Sequence, residues 1–354
     1  MYYEYYIEHN WILYVMAFAA AFGVALFATP WARKISIRLG AIDKPKARGM
    51  HKKPIPRMGG IAIVLGFMVA MGLAAIFMDE LRTLQFVGFL VGGGIIVGLG
   101  MLDDLYELSP GIKLAVQIVA ALVVVFTGTR IDFIGWPIPD VITTFSIPIT
   151  VLWIVGMINA VNFIDGVDGL AAGVTTIAAL FLTVLCIMTG SPLAVVFAAA
   201  LAGSCMGFLP RNFSPADVIM GDSGSTFLGY VLAVSSIIGV FKSYALLSVV
   251  IVAFALALPI LDTAFVSVRR LMRGTAPWKP DRGHLHHKLI DHGFSAKQTV
   301  VILYTVSALA GGIAIVIAAR NVMAVIIGLV TLFAMFSTIY FYRKRVGNNG
   351  KNEE

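Results

Sequence analysis

Residues 159–169 read Asn-Ala-Val-Asn-Phe-Ile-Asp-Gly-Val-Asp-Gly and place two carboxamides and two carboxylates between long apolar runs. These four side chains, Asn159, Asn162, Asp165 and Asp168, follow one another at intervals of three residues. In a helix that spacing brings neighbouring members close together on one side. Polar groups at a membrane boundary are costly unless they have partners or a function, so this stretch is the first candidate for a functional site.

The composition around this stretch is that of a membrane protein. Of the 354 residues, 59% are hydrophobic and only 13% are charged, and the mean hydropathy is +0.91. Repeated apolar runs of about 20 residues predict membrane-spanning helices, whereas a transmembrane barrel would show alternating segments of about ten residues. We therefore predict an all-α integral membrane protein with about eleven transmembrane helices. The predicted spans are residues 11–30, 58–78, 83–102, 112–128, 147–164, 170–188, 192–209, 223–241, 244–268, 298–319 and 322–342.

The basic residues predict an orientation for these spans. Of the 26 Lys and Arg residues, 22 fall on one side of the predicted membrane and four on the other. The positive-inside rule then predicts an outer N-terminus and a cytoplasmic C-terminus. The net charge of +7 is read as a topology signal, and no nucleic-acid partner is expected. Residues 1–342 are predicted to form a single polytopic domain whose active site lies at the cytoplasmic face, and residues 343–354 a cytoplasmic tail. Because Glu4 and Glu8 precede the first apolar run without any basic residue, we expect no cleaved signal peptide.

Two polar segments early in the chain lie on the predicted cytoplasmic side. Residues 51–60 are basic, and their prolines and paired glycines indicate a defined loop suited to anionic phosphates. A basic loop that only fixes topology is the alternative. Asp103 and Asp104 end a glycine-rich span, where the helix dipole repels anions, so a functional role is favoured over a solvated pair. Lys113, at the predicted start of the next span, is by itself a common topology residue.

Two further polar segments lie on the same predicted side. Asp222 stands among glycines and serines before a span, as either a helix cap or a Mg²⁺ ligand. Residues 284–287 contain three of the six histidines, a cluster that can bind Zn²⁺. No Cys is nearby, and the surrounding Arg and Lys favour a phosphate ligand instead. Asp262 lies inside an apolar span and is a functional candidate by default, although a structural partner such as Arg269 or another helix is an open alternative.

These residue types point to phosphoryl transfer at a membrane face. Asp and Asn oxygens suit a hard cation, with Mg²⁺ the first choice, and the surrounding His, Lys and Arg suit a diphosphate. Catalysis of this kind depends mostly on positioning and on neutralisation of charge. A site between helices at the inner face would take one substrate from the cytosol and the other from the lipid phase.

The sequence resembles the polyprenyl-phosphate N-acetylhexosamine-1-phosphate transferase family, and within it the bacterial undecaprenyl-phosphate N-acetylglucosamine-1-phosphate transferases. The resemblance covers nearly the whole chain and rests on five motifs in order, which are residues 51–60, 103–104, 159–169, 221–225 and 282–287. It implies an enzyme of the bacterial plasma membrane that transfers the sugar 1-phosphate of a UDP-N-acetylhexosamine, here UDP-GlcNAc, to undecaprenyl phosphate and releases UMP. The product would start a cell-envelope glycan such as teichoic acid, and a homodimer is compatible with the family.

The resemblance also implies roles for individual residues. Mg²⁺, with Mn²⁺ as a substitute, would be held by Asp222 with Asn162 beside it. Catalytic roles beside the carrier phosphate fall to Asp103, Asp104 and Lys113. Substrate-binding roles fall to His51, Lys53, Arg57, Asp165, Asp168, Arg282, His284, His286 and His287. The implied nucleophile is an oxygen of the carrier phosphate, and a two-step route through an aspartyl phosphate is the open alternative.

Other functions fit the same sequence less well. The phospho-N-acetylmuramoyl-pentapeptide transferases differ in having ten expected spans, a Gly-Thr-Pro-Thr type of first loop and three consecutive histidines, where this chain has Lys-Pro-Ile-Pro-Arg-Met-Gly-Gly and His-Leu-His-His. A secondary transporter would place its binding residues near the middle of the bilayer, often between repeated halves. Here the polar residues gather at one predicted face, and no halves match. A non-catalytic scaffold would not need such polar loops.

Overall fold

The computed structural model describes residues 2–43, 54–131, 145–241, 256–272 and 284–319. Within these ranges the fold is almost entirely helical. The helices are α1 (Tyr2–Leu39), α2 (Gly60–Phe77), α3 (Leu84–Tyr106), α4 (Pro110–Phe126), α5 (Ser146–Ile164), α6 (Leu170–Met188), α7 (Pro192–Asn212), α8 (Asp222–Ser236), α9 (Ala257–Met272), α10 (Leu285–Asp291) and α11 (Ala296–Ala318). A short 3₁₀ turn at Asp79–Arg82 precedes α3, and a π-helical turn at Ile237–Phe241 extends α8. Two short strands, β1 (Ile42–Asp43) and β2 (Ile55–Pro56), pair antiparallel, with Ile42 opposite Pro56.

The helices confirm the predicted class of all-α membrane protein. Seven helices of the described ranges are long and apolar enough to cross a membrane, namely α1, α2, α3, α5, α6, α7 and α11, and α4 is apolar but shorter. The predicted span at 322–342 and the tail at 343–354 lie outside the described residues. The number of eleven spans and the orientation of the termini stay predictions. The short helix α10 and the β1–β2 pair were not predicted from the sequence.

Helix α7 lies at the centre of the bundle, and small residues let its neighbours approach closely. It packs against α1, α2 and α6, and most of its side chains are buried. A Cβ atom at Gly203 or Gly207 would overlap the α1 backbone at Phe18 or Phe22. Close approach of this kind is how membrane helices gain packing contacts when lipid removes the hydrophobic driving force.

A cluster of aromatic rings fixes α3 and α8 side by side. The Phe89 ring lies 4.3 Å from that of Phe197 and 5.4 Å from that of Tyr230, measured between centroids. The Tyr230 hydroxyl donates a hydrogen bond of 2.8 Å to the Phe89 carbonyl oxygen. Buried aromatic pairs each contribute about 0.5–1.5 kcal/mol beyond their buried area. This packing brings the end of α3, with its two acids, to the start of α8.

Backbone hydrogen bonds hold the loop before α8 against the start of α2. The Ile219 N–H donates to the Pro56 carbonyl oxygen at 2.8 Å, and the Gly60 N–H donates to the Met220 carbonyl oxygen at 2.8 Å. At Gly60 an added Cβ would overlap the backbone of Gly224, so the two helix ends meet without room for side chains. Residues 54–60 and the segment that leads to Asp222 are therefore held together at one corner of the fold.

Candidate active site

The backbone reaches Asp222 through a conformation that favours glycine. Gly221 has φ +74°. A Cβ atom there would lie 2.6 Å from Asp104 Oδ2 and closer still to the Arg57 carbonyl oxygen. A side chain is therefore excluded both by the left-handed φ and by lack of space. This glycine allows the first residue of α8 to sit directly on the acids that end α3.

Asp104 is the acid that joins α3 to α8. Its carboxylate accepts hydrogen bonds from the backbone N–H groups of Asp222, at 2.9 Å, and Ser223, at 3.1 Å. It also lies 3.1 Å from Nε of Arg57, and its side chain is fully buried. A carboxylate on free N–H groups at a helix N-terminus is favoured by both hydrogen bonding and the helix dipole. Asp104 thus caps α8 from another helix and leaves the carboxylate of Asp222 to face elsewhere.

Lys113 lies between two carboxylates that are far apart in the sequence. Its Nζ is 3.1 Å from Asp103 Oδ2 and 3.0 Å from Asp222 Oδ2. Asp103 also accepts a hydrogen bond of 2.8 Å from the Leu108 N–H through Oδ1. The resemblance implies that Lys113 lies beside the carrier phosphate, and that role stays a prediction; in the structure its ammonium contacts two carboxylates. An anionic substrate can bind the same ammonium, either beside the two carboxylates or in place of one of them.

Asn162 completes the surroundings of Asp222. Its Nδ2 donates to Asp222 Oδ2 at 3.1 Å, so the two residues predicted to hold a metal are in direct contact. The other oxygen of Asp222, Oδ1, lies 3.7 Å from Nη2 of Arg57. Asn159, one turn earlier on α5, donates to Gln117 Oε1 at 2.7 Å and thereby ties α5 to α4.

The side chains around Asp222 carry more negative than positive charge, and this balance favours a cation. The carboxylates of Asp103, Asp104, Asp165 and Asp222 face two cationic side chains, Arg57 and Lys113. Among the described residues, no three His, Cys, Asp or Glu side chains already gather as a ready-made metal site. The donors are nevertheless hard oxygens, which Mg²⁺ prefers, and the excess of negative charge suits a divalent cation. The residues therefore fit the predicted ion in chemistry and in charge.

Asp165 is the least compensated acid of the group. It follows α5 directly, and its N–H donates to the Asn162 carbonyl oxygen at 3.2 Å. Burial, together with repulsion from Asp222 and Asp104, raises the pKa of this carboxyl well above its ordinary value. A strongly shifted carboxyl at the wall of a cavity is typical of a functional site.

A polar cavity of about 260 Å³ opens beside these acids. Four residues that the sequence singled out line it, namely Arg57, Asp165, Asp168 and Asp222. The lining also includes Asp43, Gly166, Val167, Asn212, Ile219 and Gly221. Asp43 and Asn212 were not predicted, because neither belongs to a recognisable motif and both reach the cavity through pairing of distant segments.

The turn at 165–169 is held by neighbours from two other parts of the chain. Asp168 Oδ2 accepts a hydrogen bond of 3.0 Å from the Ala216 N–H. Asn212 accepts from the Gly169 N–H at 3.1 Å and donates to the Val218 carbonyl oxygen at 3.0 Å. The Tyr304 hydroxyl, from α11, donates to the Gly169 carbonyl oxygen at 2.6 Å. Asp168 thus helps to fix the turn in place.

The histidine segment is anchored by Asp262 on α9. One oxygen of Asp262 lies 2.8 Å from His284 Nδ1, and the other accepts a hydrogen bond of 2.7 Å from the Leu285 N–H. Sequence analysis left Arg269 or another helix open as the partner of Asp262. In the structure its partner is the histidine segment. The carboxylate therefore fixes the ring of His284 and also supports the start of α10.

His286 is buried against the turn at 165–169. A Cβ atom on Gly166 would lie 2.8 Å from its Nε2, and this nitrogen has no hydrogen-bond partner among the described residues. Burial, with the neighbouring rings of His287 and His284, lowers the pKa of His286 to about 3. His286 is therefore neutral at physiological pH. The ring centroid of His287 lies 4.3 Å away. Three other predicted site residues, His51, Lys53 and Arg282, lie outside the described residues.

The fold and the site together define a polytopic membrane protein with an ionic centre at the ends of its helices. Residues 86–240 match the family described as glycosyl transferase family 4. The chain is 36% identical over 340 residues to the probable undecaprenyl-phosphate N-acetylglucosaminyl 1-phosphate transferase of Bacillus subtilis, covering 95% of this chain and 92% of that protein.

Two further relatives carry names of the same kind. The decaprenyl-phosphate N-acetylglucosaminephosphotransferase of Mycolicibacterium smegmatis is 37% identical over 310 residues, with 79% of this chain and 76% of the relative covered. The undecaprenyl-phosphate alpha-N-acetylglucosaminyl 1-phosphate transferase of Salmonella typhimurium is 27% identical over 316 residues, with 84% and 83% covered. The chain belongs to the polyprenyl-phosphate N-acetylglucosamine 1-phosphate transferase family, so the family predicted from the five motifs is confirmed.

Proposed function

We propose that this protein transfers N-acetylglucosamine 1-phosphate from UDP-GlcNAc to undecaprenyl phosphate, and that it yields undecaprenyl-diphosphate-GlcNAc and UMP. The observation that carries the proposal is the contact of Asp222 with Lys113 and Asn162 at the edge of a polar cavity. The relatives' names supply the substrate class. The reaction takes place at the cytoplasmic face of the bacterial plasma membrane and starts a cell-envelope glycan such as teichoic acid.

Cations and acids have separate roles in this reaction. Arg57 and Lys113 lie within 4 Å of Asp222 oxygens and can turn their charge toward the phosphates of the substrates. Mg²⁺, with Mn²⁺ as a substitute, would be held by Asp222 and Asn162 and would neutralise part of the diphosphate charge. Phosphoryl transfer relies on such positioning and neutralisation more than on covalent chemistry by the protein.

Asp103 is the acid best placed to act on the carrier phosphate. Its Oδ1 is held by the Leu108 N–H and its Oδ2 by Lys113, so the group is oriented and its side chain retains slight exposure. An oxygen of the carrier phosphate forms the new bond to the sugar-linked phosphorus as the bond from that phosphorus to the oxygen of UMP breaks. Any proton on the attacking oxygen passes to Asp103. Asp104 acts by positioning, since the N-terminus of α8 and Arg57 already use its oxygens.

The histidine segment contributes contacts to the donor. His284 is oriented by Asp262, and His286 lies against Gly166 in the wall of the cavity. Because His286 is neutral, it serves as a hydrogen-bonding group for hydroxyl or amide groups and not as a counter-ion for phosphate. The charge on the diphosphate is left to Arg57, Lys113 and the metal.

The test is a UMP-release assay on purified protein with undecaprenyl phosphate, Mg²⁺ and a panel of UDP-sugars. We expect turnover with UDP-GlcNAc and a lipid-linked diphosphate sugar as the second product. Use of the muramoyl-pentapeptide nucleotide alone would refute the substrate assignment. Asp222→Ala and Asn162→Ala should lose activity in a way that depends on the Mg²⁺ concentration. Wild-type turnover of either variant at ordinary Mg²⁺ would refute the metal assignment.

A further inference from the structure

A second cavity, of about 280 Å³, lies between residues 29–34 of α1 and the end of α7 with the loop that follows it. Arg33 and Lys34 from α1 and Arg211 from α7 line it. As the structure describes the lining, it contains one acid, Asp217. The cavity is thus separate from the site around Asp222 and has an excess of positive charge.

The positive charge in this cavity is largely free to interact with a ligand. Nη1 of Arg211 lies 3.3 Å from Asp217 Oδ2, but both side chains are about half exposed, at 48% and 60%. Exposed ion pairs of this kind contribute little and exchange partners readily. Arg33 and Lys34 are exposed and form no ion pair within the part of the chain that the structure describes. Three cationic side chains therefore line the cavity, with Asp217 as the one acid of its described lining.

The surface next to the cavity is suited to lipid. Phe27 and Trp31, on the outer side of α1, are 76% and 70% exposed. Nζ of Lys34 lies 6.0 Å from the centroid of the Trp31 ring. Large exposed apolar side chains on a membrane helix face acyl chains, and Trp is enriched at the depth of the headgroups. The cavity thus adjoins a lipid-facing surface at the end of the bundle that the distribution of basic residues predicts to be cytoplasmic.

We propose that this cavity binds the phosphate of an anionic phospholipid from the surrounding leaflet. The guanidinium groups of Arg33 and Arg211 and the ammonium of Lys34 would donate charge-assisted hydrogen bonds to the phosphate oxygens. The acyl chains would lie along Phe27 and Trp31. A lipid headgroup and a soluble phosphate would both present phosphate oxygens to these cations. The adjoining apolar surface favours the lipid.

The bound lipid would also restrain the loop that leads to the active site. Residues 213–221 connect α7 to α8, and Val218 lines the second cavity whereas Ile219 lines the first. The Asp217 N–H donates to the Arg211 carbonyl oxygen at 2.9 Å. The start of this loop is therefore bonded to a residue that lines the second cavity. A headgroup held by Arg211 therefore stabilises the loop that ends at Asp222.

The experiment measures lipid binding by native mass spectrometry on delipidated full-length protein in a neutral detergent. Phosphatidylglycerol is the probe, phosphatidylcholine is the zwitterionic control with no net charge, and inorganic phosphate is added as a competitor. The variants are Arg33→Gln and the double variant Arg33→Gln/Lys34→Gln. The control is Arg38→Gln, an exposed basic residue on the same helix that is absent from the described lining.

We expect phosphatidylglycerol to bind more tightly than phosphatidylcholine. The double variant should bind phosphatidylglycerol about tenfold more weakly or worse, because it removes two of the three cations proposed to donate charge-assisted hydrogen bonds to the phosphate. Arg33→Gln should have an intermediate effect, and Arg38→Gln should match the wild type. Equal binding of the two lipids, or equal affinity of the double variant and wild type, would overturn the proposal. Displacement of the lipid by millimolar inorganic phosphate would assign the site to a soluble anion and overturn it as well.

Discussion

The two sides of the proposed active site differ in how completely their polar groups are paired. On the α3–α8 side, Asp103, Asp104 and Asp222 each contact a cation or backbone N–H groups. On the other side, the pKa of Asp165 is raised by burial and repulsion, and Nε2 of His286 has no hydrogen-bond partner among the described residues. The first side can hold its shape without a ligand. The second contains groups that a cation or a substrate would satisfy.

The strongest test of this comparison is Asp222→Asn. Asp222 belongs to the α3–α8 side, and it also contacts Asn162, which lies three residues before Asp165 of the other side. The substitution keeps the shape but removes the charge that Lys113 and Asn162 contact. We expect turnover in the UMP-release assay to fall by about 10³-fold, the scale observed when a single electrostatic stabiliser is removed. Asp79→Asn, at a side chain that is 91% exposed, is the control and should keep wild-type activity. A tenfold loss or less would mean that Asp222 is only a structural member of the paired side.

A smaller effect is expected when the support of the histidine segment is removed. Asp262→Ala takes away both the partner of His284 Nδ1 and the acceptor for the Leu285 N–H. Misplacement of substrate-positioning groups costs about ten- to a hundredfold. We expect the loss mainly as a higher KM for UDP-GlcNAc, with KM for the carrier unchanged. Asp262→Asn retains an acceptor for Leu285 and should recover part of the loss. A fall in kcat alone would argue against a role in donor binding.

Asp165→Asn should raise the stability of the metal-free protein. Because the folded pKa of Asp165 lies above the unfolded one, the unfavourable contribution of this acid is absent below pH 3.8 and grows as the pH rises. We expect a midpoint of thermal unfolding higher by about 2 °C or more at pH 8, and a smaller difference at pH 5. Added Mg²⁺ should narrow the gap by stabilising the wild type.

The matched control for this measurement is Asp217→Asn, at a carboxylate that is 60% exposed. Its unfolding midpoint should stay close to that of the wild type at both pH values. A wild-type protein more stable than Asp165→Asn at pH 8 without metal would show that Asp165 is already compensated. In that case the contrast between the two sides of the site would disappear.

The smallest effect is expected for Tyr304→Phe, which removes one hydrogen bond from the turn. The lost bond to the Gly169 carbonyl oxygen should lower the free energy of unfolding by about 1 kcal/mol. Thr305→Val is the control on the same helix, because its hydroxyl bonds, among the described residues, only to the Val301 carbonyl oxygen one turn away. Equal unfolding curves for Tyr304→Phe and the wild type would show that Asn212 and Asp168 hold the turn without α11.

The helical class and the family were predictable from the sequence because both are local signals. Apolar runs define membrane helices within a window of about 20 residues, and the motifs are short and contiguous. The contact of Asn162 with Asp222 followed from matching motifs to a family, since 60 residues separate the two in the chain.

The supporting residues were not predictable, because their partners are distant and their own sequences are ordinary. Tyr304 is an aromatic residue in an apolar helix, and the hydroxyl that reaches Gly169 across 135 residues has no local signature. Asn212 ends α7 without a motif, although an Asn at a helix end close to an acidic loop is a weak signal that could have been used. The sequence did not distinguish Asp104 from the adjacent Asp103. Only the tertiary structure shows that Asp104 caps α8 while Asp103 contacts Lys113.

The hydrogen bond from Tyr304 to Gly169 has a consequence for the order in which the protein matures. The four acids of the centre are all synthesised by residue 222, but Asp262, His284 and Tyr304 emerge from the ribosome later. Since chains are made from the N-terminus onward, the turn is first held through Asp168 and Asn212, and the bond from Tyr304 is added only when the last described helix arrives. A chain that stops after α8 would keep its acidic residues. It would lack the hydrogen bond from Tyr304 to the turn and the contact between Asp262 and His284. The acids of the proposed centre and the contacts that hold the turn and the histidine segment therefore come from parts of the chain that are made at different times.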